Sequence, residues 1–107
     1  MTQEIIQEVQ KITDKIVKEY KLQKVVLFGS AAWGKMAPNS DLDFFIIKPS
    51  KKERRFRITE VEHILEDRKF PLDILVYTPE EVKKRLLLDD FFVKRILKQG
   101  KVLYEKS

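Results

Sequence analysis

The chain has 107 residues, enough for one modest hydrophobic core and too few for two. It contains no cysteine, which excludes disulfides and thiolate metal sites, and its 43% hydrophobic content excludes wholesale disorder. Lys and Arg number 22 against 17 Asp and Glu, a surplus that steers anionic partners toward the surface while serving otherwise as a solvated, charged exterior.

From the N-terminus, "MTQEIIQEVQ" has polar residues throughout, unlike the continuous apolar run of a signal peptide. No apolar run approaches the ~20 residues that span a bilayer. The expectation is a cytoplasmic chain without membrane association, folded as a single domain over residues 1–107. Ile5, Ile6, Val9, Ile12, Ile16, Val17 and Tyr20 recur at three- and four-residue steps, predicting an amphipathic helix with Thr2 as its N-cap. "KVVLF", Lys24 to Phe28, reads as a buried strand ended by Gly29, and "LDFFII", Leu42 to Ile47, as a second strand stopped by Lys48 and Pro49. "SKKE" has the form of a capping box and predicts a helix from Ser50, with a thin apolar face of Phe56, Val61, Ile64 and Leu65. "LDILVY", Leu72 to Tyr77, is a third strand. "TPEE" then places Thr78 as N-cap, a proline at the first helical position and Glu81 closing the box. The segment from Leu86 through Leu97 predicts one broken helix or two short ones, mostly core, with Asp89 and Asp90 capping or interrupting it; the alternative for the Leu86–Leu88, Phe91 and Phe92 excess is an interface, since 107 residues leave little interior to hide it. "KVLYE" adds a short edge strand after Gly100. The alternation of helices and strands predicts an α/β (α+β) fold, a small mixed sheet with helices packed on it.

Within this frame two features carry chemistry. Strand side chains alternate between faces, so Asp41 and Asp43 point the same way, roughly 6.5–7 Å apart. Paired carboxylates repel each other, and a hard divalent cation such as Mg²⁺ relieves that repulsion while completing its shell with water and phosphate oxygens. Asp73, acidic in an otherwise apolar strand, is the third candidate ligand. Gly29 and Ser30 follow the first strand directly, where a glycine permits a sharp turn and close ligand approach, and where amides and a hydroxyl suit a phosphate.

Phe28-Gly29-Ser30, ten intervening residues, then Asp41-Leu42-Asp43 resembles the signature of the DNA polymerase β-like nucleotidyltransferases, and Asp73 stands where that superfamily keeps its third carboxylate. In length and layout the chain is similar to the minimal nucleotidyltransferases (MNT domain proteins). The resemblance implies the polymerase β-like fold, ATP as substrate and two Mg²⁺ ions held by Asp41, Asp43 and Asp73, all three catalytic. It implies that Gly29 and Ser30 contact the nucleotide phosphates. It also implies a HEPN-domain toxin as partner, this chain acting as the antitoxin of the pair by placing AMP on a toxin tyrosine. The alternative is an antitoxin that neutralises its partner by binding alone. A homodimer lending surface is a further expectation for so short a chain. Direct nucleic-acid binding is not expected, since no recognition motif accompanies the net charge. One departure stands out: relatives commonly carry basic residues where this chain has Ala31 and Trp33, which leaves Lys35 as a point charge nearby. Trp33 is expected to pack against the first helix.

Overall fold

The computed structural model describes residues 2–34 and 41–106. The first helix, α1 (Gln3–Glu19), is capped by Thr2, whose hydroxyl accepts from the Ile5 amide at 3.2 Å. Three β-branched, apolar runs form β1 (Lys24–Phe28), β2 (Leu42–Ile47) and β3 (Leu72–Tyr77) with the bounds that the turn residues around them predict. Between them lie a one-turn helix, α2 (Gly29–Ala32), and α3 (Arg54–Ile64). Next comes α4 (Pro79–Leu87), which opens with a complete capping box: Thr78 accepts from the Glu81 amide and Glu81 accepts from the Thr78 amide. Two helices, rather than one broken one, fill the C-terminal segment. Asp89 takes a positive φ of 58°, and Asp90 caps α5 (Phe91–Gln99) by accepting from the Phe92 and Val93 amides. The closing strand β4 (Lys101–Glu105) lies at the sheet edge as expected.

The four strands pair in the order β3-β2-β1-β4. β1 runs antiparallel to both β2 and β4, while β2 and β3 are parallel and joined through α3, so the sheet is mixed. Alternation sorts the side chains. Val25, Leu27, Phe44, Ile46 and Val76 meet Val9, Ile12 and Ile16 of α1 and Val61 of α3 on one face. Val26, Phe45, Ile47 and Tyr77 meet Val82 of α4 and Val93 and Ile96 of α5 on the other. Burying Phe44 and Phe45 completely, one on each face, contributes roughly 2–3 kcal/mol apiece. No described helix is long and apolar enough to cross a membrane.

Three expectations are corrected. α3 begins at Arg54, not Ser50: the Ser50 hydroxyl accepts from the Lys52 amide two residues on, a local turn that competes with helix initiation, and Glu53 becomes the N-cap. Phe56 then lies half exposed, and the inward position beside it goes to Arg57, which is 4% exposed. The apolar residues from Leu86 to Phe92 are not mostly core, since Leu87 and Phe91 are 78% and 81% exposed.

Candidate active site

β1 delivers the chain to Gly29, whose φ of 73° lies in the left-handed region that disfavours a side chain. Across from it, Asp43 is the second residue of β2, opposite Phe28 and in register with Asp73 of β3. Directly opposed residues share a face of the sheet. Phe28, Asp43 and Asp73 therefore lie on the face that α4 and α5 cover, with the two carboxylates about one strand spacing, ~4.8 Å, apart along the backbone. Asp41 stands two residues before Asp43 and is exposed, as is Asp73. The charge of Asp73 is thus not a buried one; its significance is its position beside Asp43.

Asp43 bears the electrostatic consequence. Partial burial, then the nearby charge of Asp73, then that of Asp41, push its carboxyl up to about 6. One oxygen of Asp43 also occupies the space above the glycine: a Cβ at Gly29 would lie 2.0 Å from Oδ2 and 2.9 Å from Cγ. Glycine is required there twice, for its backbone conformation and for room. Gly29→Ala is therefore expected to cost about 1–3 kcal/mol and to drive the Asp43 carboxyl away from its neighbours. Carboxyl titration by ¹³C NMR would check this, with the Asp43 midpoint falling toward the ordinary aspartate range; an unmoved midpoint would contradict it.

Ser30 follows within α2, which makes Ala31 and Trp33 its neighbours. Ala31 is 3% exposed and packs into the α1 face of the core, leaving no space for a longer side chain. Trp33 does not pack against α1. It joins the opposite cluster, its Nε1 donating to the Gln99 carbonyl at 3.2 Å and its ring covered by the Arg95 guanidinium at 3.9 Å. The α5 helix thus brings a cation to the Trp33 ring, beside the turn that lacks the basic residues common in relatives. Lys35 lies outside the described residues. His63 is exposed on α3, as a solvated helix residue would be.

Three carboxylates stand at one end of one sheet, oxygen donors of the kind a hard cation takes, and partial burial first, then the charges of the other two, keep Asp43 protonated to an unusually high pH. Among the described residues no group of three acidic, histidine or cysteine side chains converges closely enough to form a metal cage by itself.

The family model "Polymerase beta, Nucleotidyltransferase" matches residues 10–107. The chain belongs to this nucleotidyltransferase family. Solved structures share its fold. A protein of Sulfolobus solfataricus, provisionally assigned as a nucleotidyltransferase, superimposes with a TM-score of 0.66 at 17% identity over 94% of this chain and 79% of that one. A chain of a toxin-antitoxin crystallised with AMP-PNP gives 0.56 at 21% identity, covering 94% of this chain and 74% of that one. A mutant of the toxin-antitoxin MntA-HpeT carrying two aspartate-to-glutamate substitutions gives 0.54 at 20% identity, over 91% and 73%. At these identities the likeness is one of fold. No curated protein matches the sequence. Membership makes the chain a transferase-type domain of the polymerase beta family, and its carboxylates, glycine turn and mixed sheet are the parts to be read in that light.

Proposed function

We propose that this nucleotidyltransferase, acting as a single cytoplasmic domain over residues 1–107, moves AMP from ATP to a tyrosine hydroxyl of a HEPN-domain toxin and thereby serves as its antitoxin. The observation that carries the reading is the position of Asp43, crowded between Asp41, Asp73 and the bare backbone of Gly29 despite the repulsion this entails. A fold tolerates such a cluster where a bound ligand repays it. Asp41, Asp43 and Asp73 would hold two Mg²⁺ ions, whose chemistry when bound is to neutralise the triphosphate and acidify the incoming hydroxyl. The Gly29 amide and the Ser30 hydroxyl would contact the nucleotide phosphates. Asp73, which is exposed, would accept the proton of the acceptor hydroxyl. The hydroxyl oxygen then bonds the α-phosphorus as the bond to the β-phosphate oxygen breaks, and pyrophosphate leaves.

A second reading is favoured by one observation. Ala31 is buried and Trp33 is committed to α5, so neither supplies the guanidinium contacts that relatives use for phosphate. An antitoxin that works by binding alone would not need them. Intact-mass spectrometry of the co-expressed HEPN neighbour, incubated with this chain, ATP and Mg²⁺, separates the two. The transferase predicts added AMP on a tyrosine, with equimolar pyrophosphate and complete loss in EDTA. A stable complex with no added mass establishes the binding antitoxin instead.

A further inference from the structure

Beside the carboxylates the surface changes character. Leu86, Leu87 and Leu88 at the end of α4, with Phe91 and Phe92 at the start of α5, are all at least 36% exposed, in a chain whose remaining large apolar side chains are mostly interior. Contiguous apolar surface of this kind marks a contact site more often than an accident of folding. It is continuous with the candidate active site. Phe92 packs edge-on against Phe28, ring centroids 5.8 Å apart, and Phe28 is both the residue before Gly29 and the register partner of Asp43. Patch and carboxylates also share one face of the sheet.

Charge identifies the occupant. Seven Lys and Arg but only two Asp lie between Lys83 and Lys101, a surplus of five that equals the net charge of the entire chain. Both acids are already engaged within these helices, Asp89 with Lys94 and Asp90 with Arg85. The segment that carries the apolar patch therefore holds the whole positive surplus of the chain, while the rest of the sequence is balanced. A second copy would set this basic segment against itself, and like charges across an interface oppose association.

We propose that the Leu86–Phe92 surface is the docking site for the acceptor protein, which presents an apolar patch rimmed by Asp and Glu and so brings its hydroxyl to Asp43. This inference deepens the transferase reading and rests on it only for the identity of the reaction. Exposed aromatic and leucine anchors within a charged rim are the composition of interface centres that dominate binding.

The test compares wild type with the Leu87→Ser/Phe91→Ser double variant, both positions being exposed enough to leave the core intact. The probe is the purified HEPN neighbour, with complex formation and AMP transfer measured at 50 and 500 mM NaCl, and with ATP·Mg²⁺ binding measured separately by calorimetry. Expected are a loss of about 100-fold or more in affinity for the neighbour, an equal loss of transfer kcat/KM, wild-type affinity falling with salt, and unchanged ATP binding and melting temperature. Equal affinity of variant and wild type overturns the docking site, as does a wild type that fails to bind the neighbour. A wild-type dimer that the variant dissolves also overturns it, in favour of a second copy. Binding that depends on the patch without any AMP transfer leaves the docking site standing and removes the transferase reading alone.

Discussion

Asp43→Asn is expected to abolish nucleotidyl transfer while making the metal-free protein more stable above pH 6. On the activity side, the variant removes a charged donor from the centre of the cluster, and a loss of at least about 100-fold in kcat is expected from losing one such preorganised group. On the stability side, the Asp43 carboxyl titrates at about 6 in the fold, raised from 3.8. A raised acid favours the folded state while protonated. Its contribution is fully present below about pH 4 and is lost as pH rises through 6, so at neutral pH the ionised side chain opposes folding. The shift of about two pH units corresponds to about 3 kcal/mol, and solvent screening of a partly open site reduces this to about 1–2 kcal/mol. Thermal melts in EDTA should show the variant about 5–15 °C above wild type at pH 7.5, with the gap closing by pH 4. A variant that melts below wild type at every pH would show that Asp43 is a structural ligand of its surroundings rather than a strained one. With Mg²⁺ and ATP added, the order of the melts should narrow or reverse, because only wild type carries the complete donor set.

The largest loss of stability is expected at Arg57. Its guanidinium is 4% exposed and donates to the Val76 carbonyl at 2.7 Å, to both oxygens of Glu81 at 2.7 and 3.0 Å, and through Nε to the Lys52 carbonyl at 2.9 Å. This single side chain ties α3 to the end of β3 and to the cap of α4. Glu81 is also the closing residue of that cap, and the Arg57 guanidinium is the largest reason its carboxyl lies at about 2. Removing one partner strands the other, so Arg57→Ala is expected to cost about 3–5 kcal/mol, or some 15–30 °C in Tm. Glu81→Ala should approach the cost of Arg57→Ala, because it leaves the buried guanidinium with only carbonyl partners and opens the α4 cap, and the double variant should cost less than the sum of the two. Glu81 acts with the opposite sign to Asp43. A depressed acid stabilises the fold above its unfolded value of about 4.5, and that contribution is lost as pH falls toward 2. Together the two groups place the stability maximum of the metal-free protein at about pH 4, where Glu81 is ionised in the fold and Asp43 is still protonated. Urea unfolding between pH 3 and 8 would test both limbs at once.

What the sequence discloses about this molecule depends on the range of the interaction involved. The strands at Lys24–Phe28, Leu42–Ile47 and Leu72–Tyr77 are legible because β-branched runs bounded by glycine, proline and charge are local patterns, and the Thr78 capping box is legible for the same reason. Alternation alone puts Asp41 and Asp43 on one face. That Asp73 meets them follows from the parallel register of β2 and β3, which pattern cannot fix. Arg57 was illegible because its burial is made tolerable by a carbonyl and a carboxylate far along the chain. Ser50 misled because a hydroxyl that can cap a helix can equally close a two-residue turn. Trp33 was assigned to the wrong neighbour since an aromatic after a strand can turn to either side of the sheet, and α5 supplied the carbonyl its indole needs.

Among the described residues β3 has one strand neighbour, so one of its sides presents backbone outward, and "LDILVY" is the apolar, β-rich kind of segment that recruits further strands. Two residues act as gatekeepers there: Arg57 takes the Val76 carbonyl near one end, and Asp73 places an exposed charge near the other. Under the proposed transfer, the carboxylate that takes part in the chemistry thus also guards solubility. Loss of that transfer through Asp43 would leave a sturdier protein, whereas loss through Asp73 would unlock an edge to aggregation.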